Sequence, residues 1–401
     1  MVLPITLRLW HQVSMMLLMI LIVVSCTDHA LPTIPQTQPY LVSSTKVAEI
    51  PLQQLTAIVT QTNPSYAPLL KYGISAYRLV YKTRNWDGTT VNASGLLLIP
   101  ATTNAVPMIG QQHGTIFNDA EAPSNFGPAS EAYQYGTIFS SNGFIIASPD
   151  YIGYGESKSL IHTYEHRASL AQASLDMLRA AREYISSNAA VRWDSRLYLA
   201  GYSEGGYATM SLYKKMQEEV PTEFNLRAVS SGAGAYDKTA FTRNLLTQPS
   251  AGNPQWNRAF LWVLLTYNQI YPTLRRPLDY YFKEPFLSDI KSNQQLATLN
   301  TSFNDVLTDT FKMGILNGTD TAFLAALADN DVYNWKPLIP LLLVHGTADP
   351  QVYFLNSQNA YAAMLAQGST VVRLFPVVGK THVETIPDWL TSTYTLFTTV
   401  L

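Results

Sequence analysis

The sequence predicts an α/β fold, a mostly parallel sheet flanked by helices, with a helical cap inserted late in the chain. Three observations predict it. Short apolar runs alternate with helical periodicities over most of the length. One of those runs, "RLYLA", ends directly in "GYSEGG", Gly201 to Gly206, which has the form of a tight strand-to-helix turn. A stretch of roughly 100 residues, helical and rich in aromatics, interrupts the alternation before the last two apolar runs, and a structureless loop of that length is improbable in a compact domain.

The chain has 401 residues, of which 47% are apolar and 13% charged, so a sizeable core can form. The formal net charge is −2 and no Lys/Arg run occurs, which argues against a nucleic-acid or anionic-lipid partner. At the N-terminus, Arg8 and His11 precede an apolar run of twelve residues, 13–24. A bilayer span needs about 20 residues, so this run fits the hydrophobic region of a signal peptide, residues 1–25. Its end, "VVSC", resembles a bacterial lipobox whose cysteine, Cys26, receives lipid after cleavage. Cys26 is the single cysteine, so no intrachain disulfide can form. The Pro-rich segment that follows reads as a tether, residues 26–49. Under the lipobox resemblance, Thr27 in place of Asp implies a cell-envelope location, in the outer membrane if the cell has one.

The first core part, 50–236, opens with "ISAYRLVYKT" and "TTVNASGLLLIP" around "NWDG", an antiparallel pair. The runs "VPMIGQQHG", "GFIIASPD", "RLYLAGYS" and "LRAVSSGAG" follow as buried strands. Helical patterns lie in "YEHRASLAQASLDMLRAAREYISSN", with Leu170, Leu175, Leu178 and Ile185 on its apolar positions, and in "GGYATMSLYKKMQEEV". Residues 237–337 form the expected cap. The second core part, 338–401, contributes "IPLLLVHGTAD" and "TVVRLFPVVG" as strands, with "NSQNAYAAMLAQG" and "IPDWLTSTYTLFTTVL" as helices.

Ser203 stands alone between the glycines of Gly-x-Ser-x-Gly, the form of a nucleophile elbow. Its hydroxyl needs a base, and His suits neutral pH. Among seven histidines, His382 lies in a loop after the last strand, whereas His113 and His345 precede Gly at strand ends and are expected to pack beneath loops. Asp349, after the strand "IPLLLVHG", is the acid that would orient the imidazole. The order Ser203, Asp349, His382 is that of an α/β-hydrolase triad. A tetrahedral intermediate also needs two N–H donors. The Glu204 amide supplies one, and "QQHGT" supplies the other through Thr115, with Gly114 as the alternative.

These features, with "QQHGT", "SPDYIGYGES", "HTYEHRASLAQASLDMLRAARE" and "GYSEGG", resemble the secretory lipase group of the α/β-hydrolase superfamily, which includes fungal lipase A-type enzymes and bacterial carboxylesterases. The resemblance runs from about Ile50 onward. It implies Ser203 as nucleophile, Asp349 as acid and His382 as base in a serine ester hydrolase of the lipase/esterase type. It makes Asp150 and Tyr151 a structural loop beside the site, and it requires no metal or cofactor. The expected partners are a small-molecule or lipid ester and, through the anchor, a membrane. Three rivals stand beside it. A serine peptidase of the same fold would act on short peptides, and a triad-bearing binding protein would not turn over. The string "HTYEH" fits the zinc pattern H-x-x-E-H, with His162 and His166 on one helix face and Glu183 as a further ligand.

Overall fold

A computed structural model of the chain describes residues 39–400 apart from Asn63. The expected signal peptide and the expected lipid site, Cys26, lie outside the described residues. Nine strands form one sheet: β1 Leu41–Ile50, β2 Ile74–Arg84, β3 Thr90–Pro100, β4 Val106–Gln112, β5 Ile145–Pro149, β6 Trp193–Tyr202, β7 Asn225–Gly232, β8 Leu341–Gly346 and β9 Val372–Val377. Their order across the sheet is β1-β2-β3-β5-β4-β6-β7-β8-β9. The pairings β1–β2, β2–β3 and β3–β5 are antiparallel, and all later ones are parallel.

The central strands read as unbroken apolar runs because helices cover both faces. Side chains alternate across β6: Leu197 and Leu199 join one core layer, while Tyr198, Ala200 and Tyr202 join the other. The first layer is closed by α3 (Arg167–Ser187), α4 (Glu204–Glu219) and α11 (Leu355–Ala366), through Leu170, Leu178, Leu212 and Met364. The second is closed by α2 (Thr137–Ser141) and α12 (Ile386–Thr399), through Phe139, Trp389 and Phe397. Helix α1 (Leu52–Thr62) packs with Ile50, Ile74 and Ile138 in a smaller cluster. Among the described residues no helix is long and apolar enough to cross a membrane.

Two differences from the sequence reading stand out. Residues 41–49, read as the end of the tether, belong to β1. Most of its side chains are exposed, so no apolar alternation marks it. The ladder to β2, from Leu41 opposite Tyr81 to Ile50 opposite Ile74, is what makes it a strand. The helix read from Tyr164 begins only at Arg167. Glu165 has a left-handed φ of 49° and His166 is extended, so residues 162–166 form a strap ahead of α3.

Between β7 and β8 the chain runs through α5 (Lys238–Thr247), α6 (Pro254–Ile270), α7 (Phe286–Asn293), α8 (Phe303–Val306), α9 (Asp309–Leu316) and α10 (Thr321–Asp329). These helices share their own core, built on Phe241, Phe260, Tyr267, Phe303, Phe311 and Phe323.

The turn from β6 to α4 is placed by backbone contact. A side chain at Gly201 would collide with the Gly205 carbonyl, and one at Gly205 with the Gln112 carbonyl at the end of β4. Only glycine lets these chains cross so closely. Gly205→Ala should therefore cost about 1–3 kcal/mol through forced backbone shifts, read as a lowered Tm. Gly127→Ala, where the nearest atom to an added Cβ is 3.7 Å away, is the control and should leave Tm unchanged. Equal Tm values for both variants would refute this account of the turn.

Candidate active site

Parallel α/β sheets place functional loops at the carboxyl ends of their strands, and the described site gathers there. Ser203 sits between β6 and α4 with φ 59° and ψ −124°. This is a sparsely populated conformation for a residue with a Cβ, sustained only where the surroundings enforce it. Its amide donates to the Gly232 carbonyl at 2.9 Å, which ties the turn to the end of β7.

The loop after β9 brings His382 to the serine. Its Nε2 lies 2.9 Å from the Ser203 Oγ, and its Nδ1 lies 2.5 Å from the Asp349 Oδ2. With Nδ1–H donating to the carboxylate, Nε2 is left as acceptor for the serine hydroxyl. The Tyr202 hydroxyl donates to the His382 carbonyl at 2.7 Å and holds the loop. The structure thus brings together all three residues predicted from chain order.

Asp349 is held from both oxygens. Its Oδ1 accepts from the amides of Gln351 and Val352, each at 2.9 Å. Its Oδ2 faces His382 and also His345 Nε2 at 3.2 Å. Burial alone would raise this carboxyl's pKa, but the bonds from His345 and His382 outweigh it and hold the group well below the usual range. His345 packs beneath a loop, as expected. Its second contact, with the acid, was missed, and the four-residue spacing to Asp349 was the available signal. Its ring is fixed by Ser357 at Nδ1 and the Val352 carbonyl at Nε2, both at 2.7 Å.

Of the two N–H candidates from "QQHGT", Gly114 abuts the nucleophile: a Cβ built on it would lie 3.7 Å from the Ser203 Cβ. The half-buried Glu131 carboxyl lies beside Gly114, with its Oε1 2.8 Å from where a Cβ would sit, and burial pushes its pKa up to about 7. Thr115, the other candidate, is half-buried and follows Gly114 in the same loop. Glu204, whose amide is the other expected donor, is the first residue of α4. Its buried carboxyl lies 2.8 Å from His162 Nε2. Asp150 accepts from Ser94 Oγ at 2.5 Å and the Ser124 amide at 2.7 Å, and the Tyr151 hydroxyl donates to the His113 carbonyl at 3.1 Å. Tyr151 thereby braces the loop that carries Gly114, and the Asp150 carbonyl joins it through His113 Nε2 at 3.2 Å.

The residues of the zinc pattern face different partners. His162 meets Glu204, Glu165 pairs with Lys238, His166 meets Ser169, and Glu183 accepts from the amides of Tyr40 and Leu41. Among the described residues no group of three or more His, Cys, Asp or Glu side chains could hold a metal ion.

Ser203 opens onto a cleft that runs beneath α5 and α6. Its lining is mostly apolar and includes Phe241, Leu246, Phe260, Leu264, Phe303 and Val352. Of the aromatics in residues 237–337, Phe241, Phe260, Phe303 and Phe311 line it. Trp262 points elsewhere, while Tyr267, Tyr281 and Phe282 fill the helical segment's own core.

A family model described as secretory lipase matches residues 136–391. No curated protein matches the chain by sequence. Among solved structures, the chain is similar to a putative hydrolase from Legionella pneumophila subsp. pneumophila str. Philadelphia 1, with 25% identity, a TM-score of 0.79, and 90% of this chain and 98% of that one covered. It is similar in fold to the rice cell wall degrading esterase LipA from Xanthomonas oryzae, with 22% identity, a TM-score of 0.74, and 89% and 96% covered. It is also similar in fold to Candida antarctica lipase A, with 18% identity, a TM-score of 0.62, and 88% and 82% covered. The sheet is that of the α/β hydrolases, the matched segment spans well over half of the sequence, and the chain belongs to the secretory lipase family, whose members are hydrolases acting on esters.

Proposed function

We propose that this chain is a serine carboxylic ester hydrolase that works through an acyl-enzyme. The observation that carries the reading is the 2.9 Å contact between Ser203 Oγ and His382 Nε2, backed by the carboxylate of Asp349. Ser203 Oγ attacks the ester carbonyl carbon as its proton passes to His382 Nε2. The carbonyl oxygen becomes an oxyanion held by the amides of Thr115 and Glu204. The C–O bond to the alcohol then breaks and His382 returns the proton to the leaving oxygen. Water gives a proton to His382 and adds to the acyl carbon. Collapse of this second intermediate breaks the bond to Ser203 Oγ, which takes the proton back, and releases the acid.

Residues 237–337 serve as a cap whose apolar underside receives the acyl chain or the alcohol, since such pockets are mostly hydrophobic. Residues 1–25 are a lipoprotein signal and Cys26 the lipid attachment site, with the enzyme exported and anchored at the cell envelope. The peptidase alternative remains the competing use of the same triad.

Ser203→Ala should lower p-nitrophenyl ester hydrolysis by about three to six orders of magnitude, and a fluorophosphonate probe should label wild type but not this variant. Persistent labelling would overturn Ser203 as nucleophile. Asp349→Asn should be similarly severe, because the imidazole loses the acceptor that fixes its tautomer.

Each methylene buried in the cleft contributes up to about 0.8 kcal/mol, so kcat/KM should rise from acetate to butyrate or hexanoate esters. Leu264→Trp, which fills the cleft, should flatten that rise. A preference for acetate would count against the lipase-like reading, and faster cleavage of peptide amides than of butyrate esters would favour the peptidase.

In a detergent phase separation the mature protein should enter the detergent phase, and Cys26→Ser should leave either unprocessed precursor or protein in the aqueous phase. Wild type in the aqueous phase with Thr27 or a later residue at its N-terminus would refute the anchor.

A further inference from the structure

The strap at residues 162–165, left over from the rejected metal pattern, contacts both residues whose amides are assigned to the oxyanion. The Tyr164 hydroxyl and the Thr115 Oγ1 are 2.7 Å apart. His162 Nε2 and the Glu204 Oε1 are 2.8 Å apart. His162 Nδ1 lies 2.8 Å from the Ile152 carbonyl, which can only accept, so Nδ1 carries a proton. The contact from Nε2 to Glu204 then holds a second proton, on the ring or on the carboxyl. It is a true hydrogen bond in either form.

The other side of the strap faces helix α6. The Trp262 indole stacks on Tyr164 with centroids 4.7 Å apart and planes 6° apart, and meets the His162 ring edge-on at 5.3 Å. One indole thus backs both side chains. The Tyr267 hydroxyl, also on α6, donates to the Glu165 carbonyl at 3.0 Å, and Lys238 of α5 pairs with the Glu165 carboxylate. Trp262 is absent from the lining of the acyl cleft, so its packing acts on the strap.

We infer that Tyr164 and His162 are positioning residues that aim the Thr115 and Glu204 amides, and that Trp262 makes their aim depend on how α6 is seated. Oxyanion donors work only when held in place before charge develops. The two lie on separate segments, Thr115 in the loop after β4 and Glu204 at the start of α4, and the strap touches both and the capping helices. The inference rests on the triad reading above, and its test separates the two.

Tyr164→Phe keeps the stack on Trp262 and deletes the bond to Thr115. Its kcat for butyrate ester hydrolysis should fall about 10-fold, below the ~10²–10³ seen when a donor is removed outright, with KM within about twofold. Inhibition by a trifluoromethyl ketone bearing a butyl chain should weaken by the same factor, because Ser203 adds to the ketone carbon and leaves an oxyanion in the same place. The Tm should stay close to wild type. Trp262→Leu should lower kcat in the same direction and raise the ketone's inhibition constant in parallel. Unchanged kcat and ketone inhibition in Tyr164→Phe, beside an inactive Ser203→Ala, would overturn the positioning role and leave the triad standing. A fall in kcat matched by a fall in Tm, with ketone inhibition unmoved, would reduce the strap to packing. Wild-type activity in Ser203→Ala would overturn both.

Discussion

The site depends on one strained turn. Ser203 is held at φ 59° because the strand before it and the helix after it are both fixed by close backbone crossings. Gly201 lies against Gly205, Gly205 against the end of β4, and Gly206 against Gly232 at the end of β7. A left-handed residue with a Cβ costs of order 1–3 kcal/mol, and such a cost persists only when packing on several sides supports it. Here the sheet on one side and α4 on the other provide that support. The serine is lifted clear of both, which is what lets a loop from a strand far along the chain reach it.

Electrostatics then set the chemistry of that loop. Asp349 would be a poor guest in a buried position if it lacked partners. Two amides and two imidazoles surround its oxygens, and their combined effect reverses the penalty of burial. His382, the imidazole that meets Ser203, is thus oriented by a carboxylate that is itself held on both oxygens. His345 does not face the nucleophile, yet it fixes the second lone pair direction of Asp349 Oδ2. Reach and rigidity come from different residues.

The cleft above Ser203 has the opposite character. It is lined by side chains of α5 and α6 and of the core beneath them, with one buried ion pair, Glu165 with Lys238, at its margin. Burial pushes the Lys238 ammonium down and the Glu165 carboxyl up, each opposed by the charge of the other. Such pairs add little stability relative to apolar packing and instead specify geometry. Lys238 also lies 4.3 Å above the Tyr207 ring, one helical turn beyond Ser203. The pair therefore joins the helical segment to the strap and to the elbow helix at one point.

Much of this was legible in the sequence because it is local. The apolar runs of β4 to β8 mark strands largely buried on both faces, and the glycines at 201 and 205 mark a turn where backbones cross closely. Asp349 and His382 each follow a strand, so their chain order alone pointed to the two residues that the fold brings to Ser203. What the sequence could not decide is what depends on partners distant in the chain. β1 is a strand only because β2 lies beside it, since its side chains are mostly exposed. The string at 162–166 reads as a metal-binding helix face until Glu165 adopts its left-handed turn and each side chain finds a separate partner. Trp262 and Phe260 are two residues apart on one helix, yet one backs the strap and the other lines the cleft. Local spacing determined which residues could do chemistry, and tertiary packing decided which surface each one faced.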